Sequence, residues 1–600
     1  MKVIIAEKPS VGREIAKVFG ATTKKDGYIE GKGYTFTWAF GHLLQLAAPQ
    51  EYGYYGWNVQ NLPMLPKKFK LAIRKIKTKN GLVEDPGVRK QLDIIKTLFD
   101  EATEIIVATD AGREGELIFR YIYYYLKCKK PFKRLWISSQ TDAAIKDGFR
   151  NLKPGTDYDT LFNSAHCRSQ SDWLVGMNAT QALSLSSRSR GVLSLGRVQT
   201  PTLAMICARY LENKNFIPQT YYQVAMQLDK DGQLFKAISE KNFKTREEAQ
   251  AVLDLVEAAG LIESVEAKPR KEPPPLLHDL SSLQQEANKR KGFTADQTLS
   301  LLQNLYESKL VTYPRTGSRY IGDDVFAEVP ALIAKFNHHT EFGKQATLLG
   351  ETKLNKRSVN AKKVTDHHAI LPTGETPRNL SADQQAIYDM VSGRMLEAFH
   401  GDCIKEITKI TVLSGSKFMA SGTVIQTPGW RAVFNDKDEE KKDEENATLP
   451  KVTQGEILPI VDKALLEKQT KPKPLYNEAS LLKALETAGK EIDDEELRQA
   501  MKDSGLGTPA TRAAMIETLL KRNYIAREKK NLVPTSTGLS VYEVVKTHRI
   551  AQAELTGAWE KRLEEIRGGA SVSEFQEEIK TYTRDITREL LLAGKEMVLS

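Results

Sequence analysis

The first 150 residues alternate short apolar runs with helical patterns, and this alternation restricts the fold more than any other feature of the chain. Val3-Ile4-Ile5-Ala6 reads as a strand, followed by a helix from about Val11 to Phe19. Tyr34 to Ala39 is a second strand. Glu104 to Thr109 is a third, leading into a helix from about Glu114. Lys133 to Ile137 is a fourth, with a helix near Ala143–Phe149. Repeated strand–helix units imply a parallel α/β domain. In such a sheet, sites form beyond the carboxyl ends of the strands. Glu7 and Asp110 both follow strands and are expected to meet there.

Six hundred residues exceed a single core, and imply about three to five domains. The patterning divides the chain into an α/β segment at 1–153, helices at 154–217, β-like runs at 218–272, helices around a tyrosine turn at 273–402, strands again at 403–475, and helices at 476–600. Pro273-Pro274-Pro275 marks a boundary, and Lys471-Pro472-Lys473-Pro474 a hinge. The charge run from Asp436 to Asn446 reads as a solvated loop. Strand patterning on both sides of 273–402 implies one β domain interrupted by a helical insertion, and the two outer helical pieces are expected to form one domain. A domain carried on two connecting segments can swing like a lid.

A net charge of +10 points to a polyanionic partner. The four cysteines, Cys128, Cys167, Cys207 and Cys403, include no C-x-x-C pair, so no zinc ribbon is encoded and free thiols in a reducing, cytoplasmic setting are expected. No apolar run approaches the ~20 residues of a membrane span, and no G-x-x-x-x-G-K-[ST] phosphate loop is present. The aromatic run Tyr121 to Tyr125 lies within a helical pattern and is expected to pack in a core.

The chemistry is concentrated in Leu310-Val311-Thr312-Tyr313-Pro314-Arg315-Thr316. A phenol is a weak nucleophile at neutral pH. Arg315, two residues on, is a fixed cation that favours phenolate and can clamp a phosphate. The pairing suits attack on a phosphodiester through a covalent phosphotyrosine; the alternative is a tyrosine packed in an apolar turn. A second concentration is acidic: Glu7 in Ala6-Glu7-Lys8-Pro9-Ser10, with Asp110 and Glu114 in Ala108-Thr109-Asp110-Ala111-Gly112-Arg113-Glu114-Gly115-Glu116. Carboxylates on strand-end loops bind Mg²⁺ through oxygen, leaving water or phosphate in the other positions. Glu114 and Glu116 also fit a helix that simply favours acids in its first turn.

Taken together, AEKPS, ATDAGREGE, SLGRVQTPTL and VTYPRT, in that order, resemble the type IA DNA topoisomerases over nearly the whole chain, from Lys2 to about Arg567. Within that family the likeness is nearest to the bacterial topoisomerase III branch, because AEKPS opens the chain and no cysteine-rich tail follows. The resemblance implies a multidomain α/β and α+β toroid: a toprim α/β domain, helical base, β-rich arch and tyrosine domain. It implies Tyr313 as nucleophile, Arg315 as phosphate clamp, Lys8 beside the scissile phosphate, and Glu7, Asp110 and Glu114 as an acidic Mg²⁺ centre. His367 matches the family histidine near the phosphate, although a lone histidine is also a common structural residue. The family pattern is Asp-x-Asp-x-Glu. Here its second acid is Gly112, so a single Mg²⁺ on Glu7 and Asp110, with waters, is expected.

The implied partners are single-stranded DNA, negatively supercoiled or catenated duplex DNA and a helicase, and the protein is expected to be a monomer. Ser194, Gly196, Arg197, Gln199 and Thr200 surround a helix start suited to gripping phosphates. Arg168, Gln170 and Asp172 resemble the family's strand-binding groove, which also takes in Thr508, Thr511 and Arg512; a plainly capped helix is the alternative there. Two rivals stand beside this reading. A toprim nuclease or primase has no need of the Tyr313 turn, and a single-strand binding protein with a degenerate centre would leave DNA uncut.

Overall fold

The computed structural model describes the chain except residues 80, 188–190, 435–448, 493, 502–504 and 598–600, so the charge run from Asp436 lies outside the described residues. The amino-terminal sheet has seven strands, in the order Lys153–Pro154, Phe132–Arg134, Glu104–Ala108, Lys2–Ala6, Tyr34–Trp38, Tyr28–Gly31, Thr23–Lys25. The strands Phe132–Arg134, Glu104–Ala108, Lys2–Ala6 and Tyr34–Trp38 are parallel neighbours. Val3, Ile4, Ile5, Ile105, Ile106 and Val107 are buried on both faces, as parallel strands covered by helices require.

The expected purely parallel sheet is corrected at its edges, where Thr23–Lys25, Tyr28–Gly31 and Lys153–Pro154 pair antiparallel. The reason is local. Asp26-Gly27 and Lys32-Gly33 are two-residue hairpin loops, and Gly27, Lys32 and Gly33 all take positive φ. The fourth strand is shorter and earlier than expected, Phe132–Arg134. A helix not foreseen, Pro86–Glu101, covers one face with Val88, Leu92, Ile95 and Phe99. Its start is set by Asp85, whose side chain accepts from Gly87 N and Val88 N, and by Pro86 in the first turn.

Helices Asp159–Ser186 and Gln199–Lys214 share one core with Ser536–Val545, Ala553–Arg567 and Val572–Ala593. Ser164 Oγ donates to Leu563 O at 2.8 Å and Ser186 Oγ to Leu590 O at 2.9 Å, tying the two sequence segments together. A hairpin of Ile525–Glu528 and Asn531–Pro534 in this region was not foreseen. Tyr121 is buried, while Tyr124, in the same run, is 47% exposed.

A closed barrel runs Thr220–Lys230, Gln233–Ser239, Ser416–Thr427, Cys403–Ser414, Ala259–Glu272, Ile457–Gln469 and back. Its strands come from both sides of the tyrosine region, and closure leaves no unpaired edge. Between them, helices Leu280–Lys291, Ala295–Glu307, Asp323–Ala334, Gly343–Gly350 and Ala382–Phe399 surround a separate core. This insertion touches the barrel segment through the Phe342 ring, 5.5 Å centre to centre from Phe434, the helical base through Glu478 Oε2, which accepts from Ala295 N at 2.6 Å, and the amino-terminal unit through Lys309 on Glu14 at 2.6 Å. The contacts close the chain into a ring.

Candidate active site

The site lies where the amino-terminal unit meets the insertion. Lys8 precedes Pro9 in the first turn of the helix Pro9–Val18, and its backbone is extended, the conformation a following proline imposes. Lys8 Nζ donates to Asp110 Oδ2 at 2.9 Å, lies 3.2 Å from Glu7 Oε1, and stands 3.8 Å from the centre of the Tyr313 ring. Glu7 Oε2 accepts from Asp110 N at 3.3 Å. The Asp110 loop is fixed from behind by Arg134. That guanidinium donates to Thr109 O at 2.7 Å and Asp110 O at 2.6 Å, and its Nε to Glu116 Oε2 at 3.0 Å. Glu116 is therefore a buried partner of Arg134 and Arg120, not an acid merely decorating a helix start.

The Tyr313 turn is stitched to the segment carrying His367. Thr312 N donates to Leu371 O at 2.9 Å, and Thr316 Oγ1 to His367 O at 2.9 Å. The His367 and Tyr313 ring centres are 4.3 Å apart. His367 Nε2 stands 3.0 Å from Asp110 Oδ2, yet it is buried with no aligned acceptor. The contact has hydrogen-bond distance without hydrogen-bond direction.

These neighbours set the protonation states. Burial raises the Tyr313 pKa, and Asp110 and Glu7 add to that, against the opposing Lys8 ammonium. The expectation that Arg315 favours the phenolate is corrected: the cation against the ring is Lys8, and Arg315 is exposed with no ion pair among the described residues. Burial works against the Lys8 charge, but Asp110 and Glu7 outweigh it and raise its pKa. Burial and the Asp110 charge raise Glu7. Asp110 is lowered despite its burial, because His367 and Lys8 outweigh it. A cleft of about 1170 Å³ opens beside Tyr313, lined among others by Lys8, Arg13, Lys17, Tyr306 and His367. Arg13, Lys17 and Tyr306 were not foreseen, although the first two belong to the amphipathic helix Pro9–Val18.

Among the described residues no three carboxylate, imidazole or thiol groups converge to chelate an ion as they stand. The Lys8 ammonium occupies the space between Glu7 and Asp110. Glu114 pairs instead with His42 at 3.2 Å and Arg168 at 3.9 Å; His42 was not foreseen. Hard oxygen donors are nevertheless grouped here, and a cation that keeps several waters suits such a set. The space that a side chain at Gly112 would take is filled by the Asp366 carboxylate: a Cβ there would lie 2.3 Å from Asp366 Oδ2.

The expected DNA-contact residues divide. Arg168 and Asp172 lie together near Glu114. Arg197 is buried and spent on Asp172 at 3.0 Å and Glu560 at 3.2 Å, so it does not present a free cation to phosphate. Glu560, also unforeseen, is held down at about 2: its burial is outweighed by Arg168, Arg197 and Arg113. Gln170 is buried between His166 and Gln576. Gln199 donates to Ser194 O and Oγ, and Thr200 Oγ1 accepts from Gly196 N. Arg512 is buried on Ser281 Oγ and Gly507 O. Thr508 and Thr511 cap their own helix; Thr511 is exposed. In this DNA-free structure Gln170, Arg197, Gln199, Thr200 and Arg512 are buried and have internal partners.

Two units meeting at a phenol clasped between an ammonium and an imidazole suit an enzyme that acts on phosphodiesters through tyrosine. Residues 2–140 match the toprim domain and residues 156–575 the DNA topoisomerase family. The chain belongs to the type IA DNA topoisomerases. It is 39% identical over 610 residues to the DNA topoisomerase 3 of Bacillus licheniformis, covering 98% of this chain and 81% of that one. To the Bacillus subtilis DNA topoisomerase 3 it is 37% identical over 612 residues, with 98% and 81% covered. Its fold matches full-length topoisomerase I of Thermotoga maritima with a TM-score of 0.67 at 23% identity, over 99% of this chain and 90% of that one.

Proposed function

We propose that Tyr313 Oη attacks a phosphodiester of single-stranded DNA. The bond to the 3′ oxygen breaks, the 5′ phosphate stays on Tyr313, and the phenol proton passes to water in the cleft. Lys8, kept charged by Asp110 and Glu7, protonates the leaving 3′ oxygen. Arg315, exposed and uncommitted among the described residues, clamps the phosphate oxygens, and His367 adds a donor from beneath the ring. Glu7 and Asp110, with Glu114 nearby, would hold a Mg²⁺ ion, which when bound offsets phosphate charge. The phosphotyrosine conserves the energy of the broken bond, so the 3′ hydroxyl reseals the strand without ATP.

Between cleavage and resealing the two units part and a second strand passes, which relaxes negative supercoils or separates catenated circles. In this reading Arg168, Asp172 and Thr511 on the groove, and Arg13 and Lys17 in the cleft, contact the DNA. A cytoplasmic monomer, working with a helicase where duplex must be opened, completes the reading.

The observation that carries it is the Lys8 ammonium 3.8 Å from the Tyr313 ring centre and 2.9 Å from Asp110. The test is covalent trapping. Labelled single-stranded DNA is mixed with protein and Mg²⁺ and quenched with denaturant, beside Tyr313→Phe. A label retained through a 5′ phosphate by the unaltered protein alone supports the reading. Cut DNA with no adduct would mean a nuclease.

A further inference from the structure

Gly112 stands where the family pattern has an acid, and its conformation does not explain the choice. Its φ of −159° and ψ of 179° are extended backbone open to any residue. Space explains it. A Cβ at 112 would lie 2.3 Å from Asp366 Oδ2 and 2.4 Å from both Asp366 Cγ and Oδ1. The Asp366 carboxylate therefore fills the volume that a side chain at 112 would take. Asp366 neighbours His367 in sequence, and the segment is tied to the Tyr313 turn by Thr316 Oγ1 on His367 O at 2.9 Å. Among the described residues Asp366 has no hydrogen bond or ion pair. Its partner in packing, Gly112, sits two residues from Asp110 and two from Glu114.

We propose that Asp366 replaces the acid missing at Gly112, completing the carboxylate set of the divalent-cation site from the tyrosine-bearing side of the gate. This rests on the reading of Glu7 and Asp110 as the cation's residues. In a pattern with the acid at 112, all the carboxylates belong to one unit and stay together when the gate opens. Here one of them leaves with Tyr313. Cation affinity is then higher in the closed state, and by linkage the cation favours closure by the same factor. Glycine at 112 admits the Asp366 carboxylate, and a side chain at 112 would displace it.

The experiment is direct binding of Mn²⁺ to the full chain without DNA, with free Mn²⁺ counted by electron paramagnetic resonance. The proteins are the unaltered chain, Asp110→Asn, Asp366→Asn and the double variant Gly112→Asp/Asp366→Ala. Asp366→Asn keeps shape at an exposed position, and an unchanged melting midpoint certifies its fold. Removing one carboxylate from a hard-cation site is expected to weaken Mn²⁺ binding about tenfold in Asp366→Asn. The double variant, with its acid moved to 112, should recover to within about threefold of the unaltered chain. Wild-type affinity in Asp366→Asn, with loss in Asp110→Asn, overturns this proposal alone. Full affinity in Asp110→Asn, or no binding by the unaltered chain, overturns the underlying reading of the acidic centre.

Discussion

Lys8 Nζ stands 3.8 Å from the centre of the Tyr313 ring, so a cation from the amino-terminal sheet rests on a nucleophile from the inserted helical unit. The two residues are brought together only by closure of the ring. Lys8→Ala removes the acid that protonates the 3′ oxygen and leaves Glu7 and Asp110 facing each other. Single-turnover cleavage of an oligonucleotide should fall by about 10²–10⁴-fold, while Lys8→Arg keeps the charge and part of the rate. A Lys8→Ala enzyme cleaving at the normal rate would remove Lys8 from the chemistry.

Arg315 is exposed and makes no ion pair among the described residues. Arg315→Ala is thus expected to leave the melting midpoint unchanged, with stability within about 0.5 kcal/mol. Cleavage should fall by roughly 10²-fold, as when one transition-state donor is lost. Arg315→Lys should recover only part, because an ammonium cannot grip two phosphate oxygens in parallel. Melting curves and adduct yields measured side by side decide it; a large stability loss would give Arg315 a structural role.

A Cβ at Gly115 would lie 2.1 Å from Asp110 O, a backbone atom with little freedom to yield. Gly115→Ala should push the Asp110 loop away from Lys8. We expect at least about a tenfold loss of cleavage from such a small displacement. The readout is adduct formation against circular dichroism. Normal adduct yield would show that the loop tolerates the shift.

Arg134 and Glu116 are both fully buried, and their pairing carries the Asp110 loop. Removing one member of such a pair strands the other charge, at about 3–5 kcal/mol. Arg134→Ala should therefore lower the melting midpoint by many degrees, and Arg134→Met together with Glu116→Leu should recover stability without recovering cleavage. If the double substitution restored both, Arg134 would have no positioning role.

Burial pushes His166 and His278 down to about 4, whereas an unfolded histidine titrates near ~6.5. Between those values the unfolded chain binds the extra protons, so stability is intact above the unfolded value and is lost as pH falls towards the folded one. Each histidine contributes a slope of up to about 1.4 kcal/mol per pH unit there. Melting midpoints taken across that window should decline less steeply in His166→Gln. Equal slopes in the two proteins would exclude His166 as a contributor.

Much of this was legible in the sequence. The strands Lys2–Ala6 and Glu104–Ala108 were readable from their apolar runs, because strands buried on both faces need no polar alternation, and Tyr34–Trp38 from its aromatic and β-branched residues. The interrupted barrel was readable from strand patterning on both sides of the insertion. What went unread was mostly local and short. The Asp26-Gly27 and Lys32-Gly33 loops and the Asp85-Pro86 helix start carried turn and cap signals that were passed over. The burial and partners of Arg197 and Arg512, which have the chemistry of phosphate ligands, cannot be seen from neighbours in sequence.

The sequence by itself determined the chemical inventory: a phenol beside a guanidinium, carboxylates on strand-end loops, and a glycine where an acid belongs. These depend on residue type and local spacing. Only the tertiary structure decided which cation faces the phenol, because Lys8 and Tyr313 are separated along the chain by most of the amino-terminal unit, the first part of the helical base and half of the barrel strands. It likewise decided that Asp366 fills the space at Gly112. Electrostatics and exclusion of volume act over a few ångströms, and distance along the sequence carries no information about them.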